Sequence, residues 1–139
     1  MNGGWVIDAS IGFAWVHPDQ ATPETDQLLQ DVEAGAALVV PALWFAEVAN
    51  GLLVLQRRKR LTAAERKAAL ETLAGLNMAT DDEAGRAAFG KTSELAEKHG
   101  LSIYDAVYLE VALRRKMALA SRDEALLAAA RRCGIKTRA

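Results

Sequence analysis

Short apolar runs alternate with helix-forming segments along the whole chain, and this alternation restricts the fold more than any other feature. Trp5-Val6-Ile7 and residues 37–40, 78–80, 117–120 and 135–137 read as short strands. The intervening segments carry helix punctuation. Ser10 is placed to cap a first helix running to about Val16, Thr22-Pro23-Glu24 opens a second that stops at Gly35, and Pro41 starts a long third that reaches about Arg58. Thr62 with Glu65 forms a capping box for a helix to Leu76, and residues 82–99 read as one helix closed by Gly100. Ser102 with Asp105 forms a second box for a helix to Lys116. Ser121 with Glu124 forms a third, for a last helix ending near Cys133-Gly134. Strands alternating with helices predict an α/β fold, a parallel sheet of four to five short strands sandwiched between helices. No repeat or linker interrupts the pattern, so residues 1–139 are expected to form a single domain. In open parallel sheets ligands bind beyond the C-terminal ends of the strands, so chemistry is expected at that edge.

Composition narrows the classes. With 51% apolar and 25% charged residues the chain reads as globular. The apolar stretch at 41–55 is interrupted by Glu47 and Asn50, which suits a buried helix better than a membrane span. The start carries no basic region followed by an apolar run, so no secretory signal is expected. Cys133 is the only cysteine, which excludes an internal disulfide and a Cys-rich zinc site. Together these features predict a cytoplasmic protein. At net charge −1 the chain has no global basic field to draw in nucleic acid. Its cations are clustered instead: Arg57, Arg58, Lys59 and Arg60; Arg114, Arg115 and Lys116; and Arg131, Arg132, Lys136 and Arg138. Cations are favoured at helix C-termini, so solvated helix ends are the plain reading; phosphate contact by the first or second run is the sharper one.

Four acids stand out, each with an ordinary alternative. Asp8 follows a strand, where it can serve as a turn acceptor or as a site residue at the sheet edge. Glu47 lies among Leu43, Trp44, Phe45, Val48, Leu52 and Leu53, where a carboxylate is costly unless paired or bound to metal; with Asn50 it can also form an exposed stripe. Asp105 is explained by the Ser102 box, yet Tyr104, Ala106, Val107, Tyr108 and Leu109 around it look packed. Asp123 suits the first turn of a helix, and it also follows a strand by a short turn. A parallel sheet can bring all four to one edge. Clustered carboxylates repel one another and raise each other's pKa, and a divalent cation relieves the repulsion. Their hard oxygen ligands suit Mg²⁺ or Mn²⁺. His17 and His99 are isolated and read as surface residues rather than ligands.

At these residues the chain resembles the PIN-domain ribonucleases, and among them the VapC toxins of bacterial toxin–antitoxin pairs. The matching segments are Val6-Ile7-Asp8-Ala9-Ser10, then Pro41 through Phe45-Ala46-Glu47-Val48-Ala49-Asn50, then Leu101-Ser102-Ile103-Tyr104-Asp105-Ala106-Val107-Tyr108-Leu109, and finally Leu119-Ala120-Ser121-Arg122-Asp123. They span nearly the whole chain in the family's order. The resemblance implies a PIN-like sheet and a Mg²⁺- or Mn²⁺-dependent endoribonuclease, the toxin component of a type II system. It carries Asp8, Glu47, Asp105 and Asp123 over as the acidic quartet, with Ser10, Asn50 and Ser121 as supporting polar groups; Ser121 stands where many members have threonine. It further implies an RNA substrate, a homodimer and a cognate VapB-type antitoxin.

Two other functions compete. A non-catalytic RNA- or protein-binding module would be favoured by a lost acid, and none is lost. A phospho-acceptor signalling domain usually pairs acids after its first strand, whereas Asp8 is followed by Ala9 and Ser10. The large apolar residues of the Pro41 helix, with Trp15 nearby, are also more than one small core needs. They predict either full burial under the 62–76 helix or a groove between those two helices, open to an amphipathic partner segment.

Overall fold

The computed structural model describes residues 4–139. Five parallel strands form one sheet in the order β3-β2-β1-β4-β5: β1 (Trp5–Ile7), β2 (Leu38–Pro41), β3 (Ala79–Asp81), β4 (Ala118–Ala120) and β5 (Thr137–Arg138). The connecting helices are α1 (Ala9–Val16), α2 (Pro23–Glu33), α3 (Ala42–Arg57), α4 (Ala63–Ala74), α5 (Ala84–Ala87), α6 (Lys91–His99), α7 (Ile103–Arg115) and α8 (Glu124–Arg132). Among the described residues no helix is long and apolar enough to cross a membrane.

The three inner strands, β1, β2 and β4, are apolar at successive positions because inner parallel strands are buried on both faces, whereas the edge strands β3 and β5 are more polar. Val6, Ile7, Val40 and Leu119 are fully enclosed. β1 lies in the middle of the sheet, paired with β2 on one side and β4 on the other. The register sets Ile7 opposite Ala120, so the next residues, Asp8 and Ser121, leave the sheet side by side.

Helix α1 packs closely on α3, and two glycines allow it. A Cβ at Gly12 would lie 2.9 Å from Trp44 Cζ2, and one at Gly51 only 2.2 Å from Phe13 Cζ. This approach buries the Trp44 indole, whose Nε1 donates to the Asp8 backbone oxygen at 3.0 Å. The α3 helix is thereby tied to the end of β1.

Several sequence expectations are corrected. Asp8, not Ser10, caps α1; its carboxylate accepts from the Ser10 N–H at 3.1 Å, and Ser10 lies inside the first turn. Residues 82–99 form two helices rather than one. The break falls at Gly90, whose φ of −125° and ψ of −106° are not helical, and Phe89 beside it is left exposed. Asp123 rather than Ser121 caps α8, accepting from the Leu126 N–H at 3.1 Å, because the Ser121 hydroxyl is engaged elsewhere. β3 extends one residue beyond its expected end, to Asp81. His17 is buried at the end of α1, not exposed.

Candidate active site

At the C-terminal ends of β1 and β4, Asp8 and Ser121 join one hydrogen-bonded polar group. Asp8 is 5% exposed. Its Oδ1 accepts from Ser10 Oγ and its Oδ2 from Ser121 Oγ, each at 2.5 Å. Each hydroxyl has one proton, given to Asp8, and each accepts in turn from the β4–α8 turn. Ser10 Oγ receives the Arg122 N–H and Ser121 Oγ the Asp123 N–H, both at 2.9 Å. Burial pushes the Asp8 pKa above the ordinary carboxylate value. The Ser10 and Ser121 hydroxyls and the Ile11 N–H oppose that rise, and the negative charge of Asp105 adds to it.

The other three acids come from three helices. Asp105 lies in the first turn of α7, and only half of the expected capping box forms: Ser102 Oγ accepts from the Asp105 N–H at 3.0 Å, without a reciprocal bond. Burial raises the Asp105 pKa, the charge of Asp123 raises it further, and Ser102 moderates it. Asp123 stands exposed at the N-terminus of α8. Glu47, half-buried on α3, accepts a hydrogen bond from the hydroxyl of Tyr108 on α7. Burial, then that bond, then the charges of Glu47, Asp8 and Asp105 raise the Tyr108 pKa, so the phenol is a neutral donor.

Electrostatic coupling therefore runs from Asp8 to Asp105 to Asp123, and Tyr108 joins Glu47 to the group. Among the described residues none of the four forms an ion pair with Lys, Arg or His. Nor do any three acidic, histidine or cysteine side chains there converge tightly enough to form a ready-made cation cage. The donor set still fits a hard divalent cation. Mg²⁺ typically uses one or two carboxylates and completes its shell with water and phosphate oxygens, and here the carboxylate charge has no cationic partner. Asn50 is exposed one turn beyond Glu47 and bonds none of the acids, so its supporting role has no contact behind it.

A second polar cluster was not visible in the sequence. Asp81 is buried at the end of β3, where it caps α5 through the Glu83 and Ala84 N–H groups at 3.0 and 2.9 Å. Arg114 donates to both its oxygens at 2.8 and 2.9 Å, and Arg115 Nε donates at 2.5 Å. The buried Glu110 binds the same Arg114. The Arg114 guanidinium, first among several causes, holds the Asp81 carboxyl well below the usual range. Two cations of the second basic run are thus committed to ion pairs within the chain. The first run, Arg57, Arg58, Lys59 and Arg60, is exposed, and among the described residues it forms no ion pair.

A sequence model of the PIN domain matches residues 5–132. The chain belongs to the PIN-domain family. Solved structures agree with this PIN fold. PAE2754 from Pyrobaculum aerophilum superposes with a TM-score of 0.70 at 24% identity, covering 97% of this chain and 83% of that one. FitAcB from Neisseria gonorrhoeae gives 0.65 at 19% identity, covering 96% and 95%. VapBC2 from Rickettsia felis, solved bound to a DNA fragment from its promoter, gives 0.66 at 12% identity, covering 96% of each chain. At these identities the likeness is one of fold. No sequence match was found among curated proteins. PIN domains are in general nucleases, which places this chain among hydrolases acting on nucleic acid.

Proposed function

We propose that this PIN domain is a Mg²⁺- or Mn²⁺-dependent endoribonuclease, the VapC-type toxin of a type II toxin–antitoxin pair, acting in the cytoplasm as a homodimer. The observation that carries the reading is the chain of coupled carboxylates without a cationic partner at the C-terminal sheet edge. Asp8, Glu47, Asp105 and Asp123 would hold the cation. When bound, the ion supplies Lewis acidity toward the scissile phosphate and a water of lowered pKa. Asp8 is locked in orientation by Ser10 and Ser121, so its carboxylate would present a fixed negative charge to the cation. Of the four acids Asp123 is the one open to solvent, and one of the four would take a proton from the attacking water. The exposed run at 57–60 supplies the positive charge that a near-neutral chain needs to hold RNA.

An antitoxin partner is supported by the fold likeness to VapBC2 and FitAcB, and by an apolar groove between α3 and α4. The groove has a volume of about 330 Å³ and is lined by Trp44, Phe45, Val48, Leu70, Leu73 and Met78. Phe45 remains 43% exposed, while Trp44 and Leu52 are buried. The apolar surplus of α3 is thus partly core and partly groove. Trp15 is not part of the lining; its Nε1 donates to the Thr25 backbone oxygen at 2.8 Å.

The test is direct. Purified protein is incubated with single-stranded RNA in Mg²⁺ and, separately, in Mn²⁺, and the RNA ends are sequenced. Cleavage that a chelator stops supports the reading. RNA binding without cleavage in either metal would turn it toward a non-catalytic module.

A further inference from the structure

Tyr108 is buried at 1% exposure, yet carries a hydroxyl that a phenylalanine in the same pocket would lack. A buried phenol needs a partner, and the one it takes is Glu47 Oε1, 61 positions away in sequence and on another helix. Tyr108 stands three residues after Asp105, one helical turn along the same face of α7. Its side chain therefore spans from the helix that carries one candidate ligand to the helix that carries another. The charges of Asp8, Asp105 and Glu47 all reach it.

We propose that Tyr108 is a positioning residue: its hydroxyl fixes the Glu47 carboxylate in orientation and distance so that Glu47 takes part in divalent-cation binding with Asp8 and Asp105. The proposal rests on the nuclease reading given above and adds to it a residue that touches neither metal nor RNA. The chemistry favours a phenol over the alternatives. Lysine or arginine in that place would neutralise Glu47 and compete with a cation, as Arg114 does at Asp81. An apolar side chain would leave Glu47 free to rotate away into solvent. A neutral donor occupies one carboxylate oxygen, keeps the negative charge available, and leaves Oε2 without a partner among the described residues. Hydrogen-bond partners one step outside a metal's own ligands orient those ligands, and their loss typically lowers metal affinity about 10- to 100-fold.

The experiment uses Mn²⁺ alone as the probe, its free concentration followed by electron paramagnetic resonance. Wild type, Tyr108→Phe, Glu47→Gln and the double variant are titrated, with melting curves in chelator to establish that each is folded. Tyr108→Phe should weaken Mn²⁺ binding about tenfold or more, and should add nothing in the Glu47→Gln background. Equal affinities for wild type and Tyr108→Phe would overturn the inference, as would fully additive losses in the double variant. A measurement on the unaltered protein covers the case of a variant that does not fold. With ¹³C-labelled tyrosine, the Tyr108 ring carbon that bears the hydroxyl should shift on addition of Mg²⁺, and a resonance that stays still would overturn the inference. A wild-type protein that binds no Mn²⁺ overturns the nuclease reading and the inference together, whereas wild-type binding that Tyr108→Phe retains in full overturns the inference alone.

Discussion

Ser121 Oγ donates to Asp8 Oδ2 at 2.5 Å while accepting the Asp123 N–H at 2.9 Å, joining residues 113 positions apart into one hydrogen-bonded edge. Replacing the hydroxyl with hydrogen in Ser121→Ala leaves a buried carboxylate short of one donor and a backbone N–H short of its acceptor. The cost should be about 1–3 kcal/mol of stability, read by urea unfolding. The Ser121 bond lowers the Asp8 pKa, so its loss raises it. Cleavage needs Asp8 ionised, so the acid limb of the pH–rate profile should move to higher pH. An unmoved profile would detach Ser121 from Asp8 function.

The Arg114–Asp81 pair belongs to the fold rather than to substrate. Arg114→Gln should cost about 3 kcal/mol at pH 7, the low end for a broken buried pair because Arg115 keeps its bond to Asp81. The folded Asp81 pKa lies below its unfolded value, so its contribution is present above the ordinary carboxylate pKa and is lost as pH falls through the folded one. The gap between wild type and variant should therefore be widest from about pH 5 to 8 and narrow progressively as pH falls below about 4. Unfolding curves at pH 7, 5 and 3 check this. A gap independent of pH would contradict it.

Asp105 should behave with the opposite sign. Its folded pKa is raised, by burial and then by Asp123, so the charged form disfavours the metal-free fold at neutral pH and the penalty lifts as pH falls. Metal-free Asp105→Asn should melt above wild type at pH 7, with the difference shrinking toward about pH 4. It should also lose the stabilisation that wild type gains from added Mg²⁺. Differential scanning calorimetry with and without Mg²⁺ measures both.

Glutamine replacements at Arg57, Arg58, Lys59 and Arg60 should weaken RNA binding across sequences. The slope of log affinity against log salt should flatten by about 0.7 for each lost contact to a single strand. An unchanged slope would return the run to a solvated helix end.

What the sequence could reveal was whatever is local. Asp8 is legible because an apolar strand ends immediately before it, and the cap residues Thr22, Thr62 and Ser102 mark helix starts that the structure keeps. Relationships across the sheet are not legible. The Arg114 and Arg115 pair looks like a solvated helix end unless Asp81 is known to lie beside it, and the apolar pattern ends β3 one residue short of Asp81. The Tyr108–Glu47 bond links an acid that stands out in the sequence to a tyrosine that reads there as ordinary helix interior. In the sequence Asp123 fits both a helix-start acid and a site acid. The structure shows the helix-start role, the cap of α8, and beside it a negative charge that raises the Asp105 pKa.

The central claim is that these four carboxylates act together in metal-dependent RNA hydrolysis. It is tested most directly by cleavage rates in saturating Mg²⁺ for wild type and for Asp8→Asn, Glu47→Gln, Asp105→Asn and Asp123→Asn, each with its fold checked by circular dichroism. Metal assistance contributes several kcal/mol at 1.36 kcal/mol per tenfold in rate, so each folded variant should lose about a thousandfold. A folded Asp8→Asn protein that cuts RNA at the wild-type rate would contradict the account.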